Sequence, residues 1–154
     1  MYFWNIKALK AEIKSGNFGD KEAISYIVVT IFLYMLDIEL TERWGPLEIR
    51  NIWNTVNSIL CLLITVFGTI YAYSKNGGAQ GKNFANKFFA ISFVTGIHFL
   101  VYFLGVMILM LIYWDYVFPD TGDISTTPFE VFVYTVWYGA LYYVVGKHME
   151  DTVE

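Results

Sequence analysis

Hydrophobic positions in this chain come in long runs separated by short polar stretches. A bilayer core about 30 Å thick takes roughly 20 predominantly apolar helical residues, so runs of that length predict membrane spans. Four are present. Residues 23–40 form the first, apolar from Ile24 to Leu36 before Asp37 and Glu39 appear at its far end. The second, 52–73, holds no charge, although Asn54, Asn57 and Ser58 make its first turns polar. The third, 88–114, is long enough to span with tilt, and His98 is its one ionisable group besides tyrosines. The fourth, 129–145, is the shortest and has aromatic ends suited to the interface.

Ahead of these spans the period changes. Tyr2, Ile6, Leu9 and Ile13 recur at helical steps while Lys7, Lys10 and Lys14 take the other face, which predicts an amphipathic helix over residues 1–16 lying in the membrane surface with Phe3 and Trp4 anchoring its start. Gly16, Asn17 and Gly19 break it, and Asp20 is placed to cap the first span. The first 22 residues lack a compact apolar run and a small-residue cleavage site, so no cleaved signal is expected there. The whole reads as an all-α integral membrane protein: one domain over 1–154, an antiparallel bundle of four transmembrane helices in which short loops make sequential spans neighbours, with the N-terminal interfacial helix beside it.

Charge orients the bundle. With the N-terminus inside, the inner segments hold Lys7, Lys10, Lys14, Lys21, Lys75, Lys82, Lys87 and Lys147, against only Arg43 and Arg50 outside. Basic loops stay on the cytoplasmic side, so both termini are expected there, in a plasma or inner membrane. Acidic residues partition the other way: Asp37, Glu39, Glu42, Glu48, Asp115, Asp120, Asp123 and Glu130 fall outside or at the outer interface.

Composition then removes whole classes of function. Hydrophobic residues make up 56% of the chain and charged ones 16%, which is too apolar for a disordered or soluble protein. A single Cys cannot build a disulfide scaffold, and a net charge of -4 argues against nucleic acid as a partner.

In lipid, helices associate through close packing and interhelical hydrogen bonds, so small and weakly polar residues mark contact faces. Asn51, Asn54, Ser58, Cys61, Thr65, Gly68 and Ala72 alternate at steps of three and four along the second span, a seam of 3.5-residue period. It serves either to pack against another helix or to line a water-filled path; the asparagines at its outer end suit the second use. Ser92 with Gly96, and Thr135 with Gly139, are further points of expected close approach.

Intramembrane polar groups are the other candidates. His98 stands near the bilayer midplane, either hydrogen-bonded to a Tyr, Thr or Asn of a neighbouring helix or acting as a gate or relay. Glu130, Tyr134, Tyr138 and Tyr142 align at four-residue spacing in the fourth span, and Tyr138 is expected at the depth of His98. That alignment fits a proton path as well as ordinary aromatic filling. On the cytoplasmic side Lys75, Gly77, Gly78, Lys82 and Lys87 suggest a lipid-phosphate contact or a tight turn. The loop is no P-loop, since Gly77 to Gly81 is too short and Asn83 stands where Ser or Thr is required. Asp120 and Asp123 with Asp115 offer carboxylates to a divalent cation but lack the alternating ligands and terminal Glu of a calcium loop. No metal site, cofactor or nucleophile arrangement is expected, and hence no enzyme. The sequence therefore favours a non-enzymatic subunit that oligomerises or binds a larger membrane partner, with anionic lipids at its cytoplasmic face. The alternative is a small proton or cation channel, and a lipid-active enzyme comes third.

Overall fold

The computed structural model describes residues 1–44, 50–117 and 125–153, apart from the side chain of Trp44. Among them are five α-helices and no strand: α1 (Ile6–Lys14), α2 (Asp20–Trp44), α3 (Ile52–Lys75), α4 (Phe84–Val117) and α5 (Pro128–Glu150), with a 3-10 turn at Gly78–Gln80. Three of these helices, α2, α3 and α4, are long and apolar enough to cross a membrane. The Pro119 turn with Asp120 and Asp123 lies outside the described residues, as does Glu48.

Helices α1, α3 and α5 begin where a side chain satisfies orphan backbone donors. Asn5 Oδ1 accepts from Ala8 N at 3.0 Å to start α1. Asn51 opens α3 with a capping box, its side chain accepting from Trp53 N while Asn54 Oδ1 accepts from Asn51 N at 2.7 Å. Thr127 and Glu130 form the same device at α5, with Pro128 just inside the helix. At α2 the expected cap is not used. Asp20 instead accepts from Asn86 Nδ2 of α4 at 2.6 Å, while Glu22 takes the Gly19 N–H.

Packing follows direction more than sequence order. Helix α3 runs parallel to α5 over its full length, from Asn51 against Thr126 at one end to Lys75 against Glu150 at the other. In the same way α2 lies parallel to α4, joined by Asp20 with Asn86 and by Tyr26 with Phe93. One sequential pair packs antiparallel: α4 meets α5 through Trp114 with Glu130, Phe103 with Tyr134 and Phe99 with Trp137. The order of packed helices is thus α2, α4, α5, α3, and the expectation that sequential spans are neighbours in an antiparallel bundle is corrected for α2 with α3 and α3 with α4. Helices traversed in the same sense can lie side by side once the loops reach past one neighbour, and glycine at the α3–α5 contact rewards that choice.

The core sits at one end. Leu9, Ile13, Ala23, Tyr26, Ala72, Ala90, Ile91, Val94, Val145 and Met149 are all buried together where the ends of α2–α5 carrying Asp20, Lys75, Phe84 and Glu150 converge. Helix α1 supplies Leu9 and Ile13 to it, so its apolar stripe is taken up by the protein rather than left for lipid, which differs from the expected surface-lying helix. Away from this end few residues are buried, among them Met110, Glu130 and Val131, and every residue from Ile31 to Leu40 is exposed, as are Leu100, Val101, Leu104, Ile108 and Leu109.

Candidate functional site

The small-residue seam of α3 is divided between two environments. Asn51 Nδ2 donates to Thr126 O at 2.8 Å and Asn54 Nδ2 to Thr126 Oγ1 at 2.9 Å, so the polar N-terminal end of the seam fastens the start of α5. At the other end Ala72 is fully buried. Between them a Cβ placed on Gly68 would stand 2.3 Å from Tyr142 Cγ, so the Tyr142 ring needs the space that glycine leaves. The contact is reciprocal. A Cβ on Gly146 of α5 would stand 2.2 Å from Tyr71 Cε1 of α3, and Gly146 had no place in the sequence reading. In the middle Ser58 and Thr65 are exposed and return their hydroxyls to Asn54 O and Cys61 O, one turn back in the helix. Cys61 is half-buried and lies near Asn57. The other predicted close-approach glycines, Gly96 and Gly139, face open space, while the hydroxyls of Ser92 and Thr135 are buried without a partner.

Residues that align as a path in the sequence occupy separate contacts. Glu130 is buried and accepts from Trp114 Nε1 and from Thr127 N, holding the start of α5 to α4. Tyr134 packs on Phe103, Tyr138 is exposed, and Tyr142 lies against Gly68. His98 Nε2 lies 2.9 Å from Trp4 O, and the two rings meet edge-on with centroids 4.2 Å apart. The partner of His98 is therefore a backbone carbonyl of the N-terminal segment, not a Tyr, Thr or Asn of another span. A carbonyl can only accept, so that ring nitrogen carries the proton. Periodicity within helices could not find this contact, because a period records spacing along one helix and Trp4 O lies ahead of α1, in another part of the chain from His98.

At the end of the bundle that carries Lys75 and Glu150 the basic residues divide. Lys75 Nζ pairs with Glu150 Oε1 at 2.9 Å and sits over the Tyr71 ring, committed to the α3–α5 contact. Gly77 and Gly78, at φ +91° and +57°, make the tight turn that other residues adopt poorly. The Gly77 N–H donates to Ser74 O in the last turn of α3, and the N–H groups of Gln80 and Gly81 donate to Gly77 O and Gly78 O. Lys82 and Lys87 instead line a hollow of about 340 Å³ with Asn76, Gln80 and residues of the α1–α2 connection.

A second charged cluster, absent from the sequence reading, fastens α1. Lys10 Nζ lies 2.6 Å from Asp151 Oδ2 and 3.4 Å from His148 Nδ1, and His148 is 3.9 Å from Asp151. The hydrogen bond from Lys10 holds the Asp151 carboxyl below its ordinary range. Burial pushes the His148 imidazole down; Lys10 acts in the same direction and Asp151 opposes it. Among the described residues no three His, Cys, Asp or Glu side chains converge as metal ligands would. No protein-family model, curated protein or solved structure matches this chain.

Proposed function

We propose that this chain is a four-span, non-enzymatic membrane subunit that works in assembly with further copies of itself or a larger membrane partner, with both termini in the cytoplasm. The fourth span is supported by geometry. Helix α5 has 23 residues, about 35 Å of helix, and lies in register beside α3 from end to end, so whatever depth α3 crosses α5 crosses as well. Its stretch from Val131 to Gly146 carries no charge.

The observation that carries the assembly is the bare outer half of α2. From Ile31 to Leu40 every residue is exposed, and the segment includes Asp37 as well as Phe32, Leu33, Met35 and Leu36, while Glu39 pairs with Arg43 one turn on at 2.7 Å. Lipid can cover the apolar members. Carboxylates at the end of an apolar helix gain far more from protein donors or from water held in an assembly than from acyl chains. Helix α3 adds the exposed hydroxyl row of Ser58 and Thr65 on another flank. Of the residues of the alternative conduction path, His98, Glu130, Tyr134 and Tyr142 are occupied in the contacts described above, and Tyr138 is exposed.

Native mass spectrometry of the chain released from nanodiscs tests this reading. A species heavier than one 17.8 kDa chain is expected, either a whole-number multiple or a defined hetero-complex. A single-chain mass throughout, from protein whose helical content is intact, overturns it.

A further inference from the structure

The hollow beside the 76–83 turn is built as a site rather than left as a gap. Asn76 forms part of its wall and is 1% exposed, and its Oδ1 accepts no hydrogen bond although its Nδ2 donates to Lys82 O at 3.4 Å. A buried acceptor without a donor is rare in folded proteins and calls for a partner from outside the chain. Lys82, which is exposed, and Lys87, which also donates to Thr152 O at 3.2 Å, bring two ammonium groups to the same hollow. Ile13 and Phe18, both core residues, supply an apolar wall opposite. Gly81 lets the turn close, since a Cβ there would stand 1.9 Å from Asn76 O.

Position narrows the ligand. The hollow lies where α3 has just ended at Lys75 and α4 is about to begin at Phe84, the level at which two apolar helices leave the hydrocarbon. Headgroups of the cytoplasmic leaflet occupy that level. Two lysines in the lining give the hollow positive charge that favours an anion, the orphaned Asn76 oxygen asks for a hydroxyl donor, and the apolar wall asks for an adjoining hydrocarbon part. We infer that the hollow takes the headgroup of an anionic, hydroxylated phospholipid, the phosphodiester accepting from Lys82 and Lys87 and a headgroup hydroxyl donating to Asn76 Oδ1. This rests on the chain spanning a membrane but not on its assembly.

The test uses the full chain in nanodiscs of phosphatidylcholine mixed with phosphatidylglycerol, with retained lipid read by native mass spectrometry. One phosphatidylglycerol per chain is expected. Lys82→Gln should weaken retention about fivefold and the Lys82→Gln, Lys87→Gln double variant about thirtyfold, at close to one kcal/mol for each lysine. Lys147→Gln, an exposed lysine of the same face outside the hollow, should change nothing. Equal losses for Lys147→Gln and Lys82→Gln would mean diffuse surface attraction and overturn the site. Phosphatidylmethanol, anionic but without a headgroup hydroxyl, should be retained less than phosphatidylglycerol; equal retention overturns the role of Asn76. Glycerol 1-phosphate or inorganic phosphate should not displace the lipid, and displacement with one phosphate bound per chain would replace the lipid by a free phosphate ligand. Because the same spectra count protein chains, a single-chain mass that still retains phosphatidylglycerol overturns the assembly and leaves this site standing.

Discussion

Two glycines hold the tightest helix pair together, and each does so by receiving a tyrosine. Gly68 of α3 takes Tyr142, and Gly146 of α5 takes Tyr71, so every ring fills the space that a side chain on the opposite helix would need. Small residues allow such approach in lipid, where little hydrophobic force drives helices together and dispersion contacts must do the work. Substituting either glycine by leucine is therefore expected to cost about 1–3 kcal/mol by overpacking, seen as a lower melting temperature in detergent. Gly105→Leu and Ile70→Leu, at a glycine with nothing within 4 Å and at an exposed position, should leave the melting temperature within a degree or two. Equal shifts for all four variants would remove the two contacts as the basis of the pair. Gly68 was legible in the sequence because it falls on the seam. Gly146 was not, because it stands next to Lys147 at the end of a run and its meaning appears only once Tyr71 is opposite. Gly96 and Gly139 show the converse, since spacing alone marks a glycine without saying whether anything approaches it.

At the scale of elements, α1 is the piece whose attachment depends on titrating groups. Its apolar face is in the core, and its polar face is tied to the chain's far end by Lys10 with Asp151 and His148. His148 is held below its ordinary value near 6.5, so in the docked state it resists a proton that it accepts readily once released. Docking is thus strongest above about pH 6.5 and loses stability as pH falls below it; Asp151, also held low, adds a second loss as pH falls through the carboxylate range near 4. Hydrogen exchange at the Leu9–Ile13 amides, corrected for intrinsic rates, should be faster at pH 5.5 than at pH 7.5. In His148→Gln that difference should vanish. Identical corrected exchange at both pH values in the wild type would show that α1 is held by its apolar face alone. The period of Tyr2, Ile6, Leu9 and Ile13 announced this helix in the sequence, but the same stripe suits lipid or protein. Only the placement of Tyr26, Val145 and Met149 beneath it decides between them.

For the whole molecule, the sequence was most informative about what lies along each helix and least about which helices touch. Apolar length identified α2, α3 and α4, and the uneven division of the basic residues is the basis of the proposed orientation. Neighbour relations came out differently, because parallel pairing of α3 with α5 depends on reciprocal glycine–tyrosine fits 74 and 75 residues apart in the chain, which no local period records. That pairing also bears on topology. Lys75 and Glu150 form an ion pair, so the ends of α3 and α5 lie together at one end of the bundle, while Tyr116, next to the end of α4, lies at the other; in the proposed topology these ends face opposite sides of the membrane. In a Cys61→Ala background, single cysteines at Ala79 and Val153 should react with a membrane-impermeant maleimide only after permeabilisation, and one at Tyr116 should react in intact cells. All three positions are exposed, so access is set by the membrane rather than by the fold. If Val153 labels with Tyr116 while Ala79 stays protected, α5 does not cross and the chain has three spans. If Ala79 and Val153 both label from outside while Tyr116 does not, the orientation drawn from the lysines is inverted, and the basic hollow beside Asn76 would face the leaflet poorer in anionic lipid.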